Sequence, residues 1–203
     1  MSDPKVSVIY YSATGSVHAL AKQAAEAAEK AGAEVRLRKV RELAPREAIE
    51  SNEGWSKHAL ETQDVPEATA DDVLWADAVL FGTPTRYGNV AAQLKQFLDT
   101  LGPQWAQGQL ADKVYTGFVS AGTNHGGLES TLLALYNTIY HFGGIVVAPG
   151  YTDPSKFADG NPYGASHVSD NGATPPREKD LTAVAYSATR ATQIAAQLNR
   201  GAL

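Results

Sequence analysis

"YYSATGSVHALA", residues 10–21, decides the fold. It reads as the end of a strand, a loop of small residues, and the first turn of a helix. Upstream, Val6 to Tyr11 is apolar and β-branched and is bounded by Pro4 and Gly15, the pattern of a buried strand. Downstream, Val17 to Ala31 carries Ala and Leu at helical spacing, with Gly32 as the stop. A loop tipped into a helix N-terminus is a ready anion site. A nucleotide loop of the lysine-bearing kind needs Gly-Lys-Ser/Thr, and no lysine occurs between Lys5 and Lys22. Ser12, Ala13, Thr14, Gly15, Ser16 and Val17 therefore offer hydroxyls and backbone N–H groups, without a cation.

The same strand-then-helix alternation continues along the chain. "EVRLRKV" (34–40) reads as a half-exposed edge strand, followed by a polar stretch from Arg41 to about Pro66 with room for a short helix. "ATADDVLWA" reads as a helix capped by Thr69. "DAVLFGTPT" is a buried strand followed by a helix over Val90 to Leu101. "KVYTGFVSAG" is another strand, followed by the helix "LESTLLALYNTIYHFG". "GIVVAPG" is the last strand, residues 151–175 form an irregular segment too long for a mere connector and so a candidate functional or interface loop, and Pro176 to Leu198 is a helix with a stripe through Leu181, Val184, Ala188, Ala191 and Ala195. Strands alternating with helices of this length predict parallel pairing and right-handed crossovers. The fold class is α/β, an open parallel sheet with helices on both faces.

Composition narrows the function classes. The 203 residues suit a single domain over 1–203, and 43% hydrophobic with 19% charged content is ordinary for a globular chain. A formal charge of −5 argues against nucleic acid as a partner. The absence of cysteine removes disulfides and thiolate chemistry, and no acidic or histidine spacing points to a metal. No apolar run approaches the roughly 20 residues of a membrane span, and the N-terminus carries no signal pattern, so the expected location is cytoplasmic.

In open α/β sheets, ligands sit beyond the carboxyl ends of the strands. Three such ends carry loops of one character: "SATGSV", "TPTRYGN" and "SAGTNHGG". In the second, Pro84 sets chain direction, Thr85, Arg86 and Asn89 are polar, Tyr87 offers a stacking face, and Gly88 permits close approach. Asn89 also reads as an N-cap for the following helix. The third comprises Ser120, Ala121, Gly122, Thr123, Asn124 and His125. Hydroxyls beside aromatic and amide groups suit a planar heterocycle carrying one phosphate. No GxGxxG follows the first strand, which disfavours a dinucleotide fold of the Rossmann kind. His141 closes an apolar helix, where it complements the helix dipole or supplies a proton. Trp105 lies in the polar loop "GPQWAQGQ", as an interface anchor or a ligand platform. His18, His58, His167, Trp55 and Trp75 read as packing or surface residues.

"YYSATGSVHALA", "FGTPTRYGN", "LGPQWAQGQLADK" and "GNPYGAS" together resemble the WrbA-like family of flavodoxin-fold NAD(P)H:quinone oxidoreductases, over Lys5 to Leu198. The resemblance implies bound FMN, a five-strand flavodoxin-like sheet in order 2-1-3-4-5, a homotetramer, and two-electron, ping-pong reduction of quinones by NAD(P)H. It assigns Ser12–Val17 to the phosphate loop, and Pro84–Asn89 and Ser120–His125 to the loops around the isoalloxazine. It makes His141 a flavin-site histidine and the catalytic candidate, and places Trp105 in the substrate pocket. Thr14 stands where many members carry a tyrosine that contacts nicotinamide, and "AGTNHGG" departs from the glycine-richer family loop. The alternative is a flavodoxin-like FMN electron carrier, which uses the same loops. Such a carrier needs a strongly charged docking face, and −5 over 203 residues is modest.

Overall fold

A computed structural model describes residues 3–201. Five strand positions run in the order β2 (Glu34–Lys39), β1 (Lys5–Tyr10), β3 (Ala78–Arg86), β5 (Val114–Ala121), β6 (Ile145–Val146), all parallel. A short β4 (Asn89–Val90) folds back antiparallel on β3, and β7 (Ala165–Val168) pairs parallel with β5 beyond β6. This is the expected flavodoxin-like order.

The strands are buried on both faces because both faces carry helices. Val6, Val8 and Tyr10 of β1 point toward α1 (Ser16–Lys30) and α9 (Glu178–Arg200), where they join Leu20, Ala24, Val184 and Ala188. Ile9 of β1 and the adjacent Tyr11 point the other way, into a core with Phe81, Tyr115, Leu94 and Leu132. That second layer is built by α4 (Ala70–Trp75), α5 (Ala92–Asp99) and α7 (Leu128–Phe142). Thr69 opens α4 as expected, with Asp72 Oδ2 accepting from the Thr69 backbone N–H at 3.0 Å. Gly32, at φ 91°, ends the turn after α1 in the left-handed region.

Three segments differ from the sequence reading. Residues 41–66 contain two helices, α2 (Arg46–Glu50) and α3 (Glu53–Glu61), rather than one. Asn89 is not a helix cap: Tyr87 (φ 53°) and Gly88 (φ 75°) form a left-handed two-residue turn that reverses the chain, so α5 starts only after Ala91. The helix over Val90–Leu101 is correspondingly shorter, with α6 (Gly102–Ala106) after it. The last strand is split. Only Ile145 and Val146 pair with the start of β5, then residues 147–164 leave the sheet, carrying α8 (Pro154–Asp159). β7 re-enters beside Phe118–Ala121. Re-entry brings Gly164 so close to the sheet that a Cβ there would sit 2.4 Å from the Gly117 carbonyl oxygen. Part of the segment read as irregular therefore completes the sheet. No helix among the described residues is long and apolar enough to cross a membrane.

Candidate cofactor site

The three loops meet at the carboxyl ends of β1, β3 and β5. Gly15 (φ 101°) is the N-cap of α1, and no side chain caps that helix. A Cβ would be strained at this φ, so glycine is what permits the turn. The first-turn N–H groups of α1 are thus open to a ligand. Ser12 Oγ accepts from the Gly15 N–H at 3.1 Å, which closes the loop and leaves the Ser12 hydroxyl hydrogen for another partner. The cleft above this helix end is lined by Ser12, Ala13, Thr14, Ser16 and Val17.

From β3 come Pro84, Thr85 and Arg86, and from β5 come Ser120, Ala121 and Gly122. The β3 wall is locked to the start of α7, which follows β5. Thr85 Oγ1 lies 2.6 Å from Thr131 Oγ1, and Ser130 Oγ donates to the Gly88 carbonyl at 3.1 Å. A Cβ on Gly127 would stand 2.6 Å from Gly88 Cα, so the hairpin and the start of α7 need glycine to meet this closely. Tyr87 is fully exposed at the hairpin tip, and Asn89 Nδ2 donates back to the Tyr87 carbonyl at 3.3 Å. Arg86 is the one cation lining the cleft among the described residues, and no carboxylate lines it. Such a surface favours an anion.

Other expected residues lie elsewhere. Thr123, Asn124 and His125 are exposed, and Asn124 faces a separate polar cleft beside Arg177 and Asp180. His141 and Trp105 come together, with Trp105 Nε1 donating to the His141 carbonyl at 2.7 Å, but away from the loops. α7 runs from the rim at Gly127 to Gly143, whose carbonyl accepts from Asp112 just before β5 begins. Its 15 residues span about 22 Å at 1.5 Å per residue. Within one chain, His141 therefore lies at the far end of the sheet.

The segment 151–175, expected to be a functional or interface loop, supplies a fourth loop, although the sequence reading named none of its residues for the site. Ser169, Asn171 and Gly172, which follow β7, line the same cleft. The sequence reading missed an adjoining pocket, where Ser12 meets Tyr11, Glu42, Trp55 and His58. There Glu42 accepts from Tyr11 Oη at 2.9 Å, Trp55 Nε1 at 3.1 Å and Gln93 Nε2 at 2.9 Å. Burial raises the Glu42 carboxyl, but the backbone N–H of Ala44, the Gln93 and Tyr11 side chains and the backbone N–H of Leu43 hold it below its ordinary value. The sequence signal for this pocket was the Trp and His of a polar stretch read as having room for a short helix.

Comparison with known proteins agrees with this geometry. A family model described as NADPH-dependent FMN reductase matches residues 4–157. The chain belongs to that family. A relative from Deinococcus radiodurans named NAD(P)H dehydrogenase (quinone) is 44% identical over 96% of both chains. One of the same name from Geotalea uraniireducens is 40% identical over 97% of this chain and all of that one. Among solved structures, a flavodoxin, WrbA-like protein from Agrobacterium tumefaciens superposes with a TM-score of 0.68 at 25% identity, covering 96% of this chain and 99% of that one. The cleft of this FMN reductase family member fits the mononucleotide. It offers an uncapped helix N-terminus and three hydroxyls for one phosphate, and polar walls on two loops for a ring.

Proposed function

We propose that this chain is an FMN-dependent NAD(P)H:quinone oxidoreductase, one flavodoxin-like domain that reduces quinones to hydroquinones by two-electron transfer. The observation that carries this reading is the convergence of the β1, β3 and β5 loops on one carboxylate-free cleft over the open end of α1. The family and the names of the relatives point to the same chemistry.

The α1 N-terminus, with Ser12, Thr14 and Ser16, holds the phosphate. Its N–H groups and roughly half a positive dipole charge do the work that a lysine does in longer nucleotide sites. Thr85, Arg86, Ser120 and Gly122 border the ring. Thr131 and Ser130 at the start of α7 hold Thr85 and the Tyr87–Gly88 hairpin, which presets that side of the slot and keeps the ordering cost of binding low. FMN held there would supply the hydride chemistry that links NAD(P)H to a quinone. The exposed Tyr87 hairpin leaves one open side for both substrates in turn, which supports ping-pong kinetics.

A homotetramer accounts for the remaining residues. Trp105, half exposed, and His141 lie far from the cleft of their own chain, so they serve a flavin only across a subunit boundary. In that assembly His141 of a neighbouring copy stands near the ring as the acid–base candidate, and Trp105 lines the quinone pocket.

The test is a titration of the purified protein with FMN, followed by NADH and benzoquinone. Tight uptake, bleaching by NAD(P)H and recovery with quinone are expected. A protein whose melting temperature ignores FMN overturns the reading, and reduction only through a protein partner makes it an electron carrier.

A further inference from the structure

We infer that the turn 169–174 is a fourth wall of the cofactor cleft, that Asn171 contacts the polyol arm of the flavin, and that buried His167 is the positioning residue that holds this turn in place. The inference rests on the reading of the cleft as a flavin mononucleotide site.

The turn bridges the two ends of the cleft. A Cβ on Gly122 would lie 2.5 Å from Asn171 Oδ1, so the Asn171 side chain covers the loop after β5. A Cβ on Gly172 would lie 3.5 Å from Thr14 Oγ1, so the next residue touches the phosphate loop. A ligand with its phosphate on α1 and its ring beside Gly122 passes its connecting chain along this turn. Among the described residues the Asn171 amide makes no hydrogen bond. An amide both donates and accepts, which matches the hydroxyls of a ribityl chain.

The backbone here is unusual. Asp170 (φ 46°), Asn171 (φ 52°) and Gly172 (φ 94°) are consecutive left-handed residues. Such strain persists only where the surroundings over-determine it. One end of the turn is tied by Ser169, whose N–H donates to the Ala121 carbonyl at 2.8 Å. The other end is tied by His167, whose Nε2 lies 3.0 Å from the Thr174 carbonyl oxygen. The His167 side chain is fully buried, and its Nδ1 lies 2.9 Å from Asp180 Oδ2 on α9. Burial raises the Asp180 carboxyl, but the Arg177 backbone N–H, His167 and the Arg177 side chain hold it below its ordinary value. The ring is thus held at both nitrogens, by Asp180 at Nδ1 and by the Thr174 carbonyl at Nε2. Through His167 the turn is fastened to the start of α9 as well as to the sheet.

The experiment titrates the apoprotein with FMN, riboflavin and lumiflavin, which has the ring without the polyol. Asn171→Gly removes the amide while keeping a residue at home in the left-handed region. It is expected to weaken FMN and riboflavin alike, about tenfold, and to leave lumiflavin unchanged. Equal loss for all three, or no loss for any, overturns the Asn171 contact. A wild-type protein that binds none of the three overturns the cofactor reading beneath it. For His167, hydrogen exchange is compared between the apoprotein and His167→Gln. Amides 170–174 are expected to exchange at least tenfold faster in the variant while those of β1 and β3 hold. Unchanged exchange at 170–174, or a uniform rise across the chain, overturns the positioning role.

Discussion

Ser16 is the first residue of α1 and lines the cleft. A hydrogen bond to a charged group contributes about 1.5–3 kcal/mol, so Ser16→Ala is expected to weaken FMN by roughly ten- to a hundred-fold. Riboflavin, which lacks the phosphate, should be indifferent, and equal loss of both in a fluorescence titration would refute the phosphate role. Behind this loop, His18 Nδ1 lies 2.5 Å from Tyr10 Oη, and the His18 and His58 rings lie 5.3 Å apart. Burial first, then His58, Lys22 and Lys39, push His18 down to about 4 against the pull of Glu61. The unfolded chain, with an ordinary histidine near 6.5, binds that proton more readily. The stability that neutral His18 provides is complete above pH 6.5 and is lost as pH falls toward 4. His18→Gln should flatten the fall in melting temperature between pH 7 and pH 4.5; an unchanged slope would place the acid sensitivity elsewhere.

The split last strand is the element that the sequence reading resolved least. Ile145–Val146 lies inside the expected strand "GIVVAPG", but Ala165–Val168 falls in the segment read as irregular, and only parallel pairing with β5 aligns the two halves. The insertion between them is anchored by a wholly buried ion pair. Lys156 Nζ bonds Asp159 Oδ2 and donates to the Gly164 carbonyl at 3.0 Å, where the chain re-enters the sheet. Removing one partner of such a pair leaves a buried charge alone, so Lys156→Ala should cost about 3–5 kcal/mol in urea unfolding. Lys156→Met with Asp159→Leu should recover most of that loss. The hairpin at Tyr87–Gly88 was misread for a related reason. "YGNV" carries turn and cap residues together, and the contacts of Gly88 with Ser130 and Gly127 favour the turn.

Across the whole molecule, the cofactor loops lie at one end of the sheet and the Trp105–His141 pair at the other. A homotetramer that brings these ends together should give about four times the 21.5 kDa chain mass in light scattering. A monomer at micromolar concentration would refute the assembly. In the proposed tetramer, where Trp105 lines the quinone pocket of a neighbouring copy, Trp105→Ala should reduce quinone turnover more than FMN affinity. Equal loss of both would mark Trp105 as structural.

The alternation of strands and helices and the Gly-Ser turn that opens α1 were legible in the sequence because each is local, whereas the sheet order was expected only through the family resemblance. Apolar runs, periodicity and a Gly-Ser turn at a helix start are set by neighbours within a few residues. The tertiary structure decided what depends on distant chain segments. The direction of α7 moved His141 away from its own loops, and re-entry of the chain at Gly164 turned an irregular segment into sheet. The strained turn after β7 joined the cofactor cleft only because β5 holds β7 beside it. Local pattern specifies elements, but the end of the sheet to which a side chain belongs follows from how the elements pack.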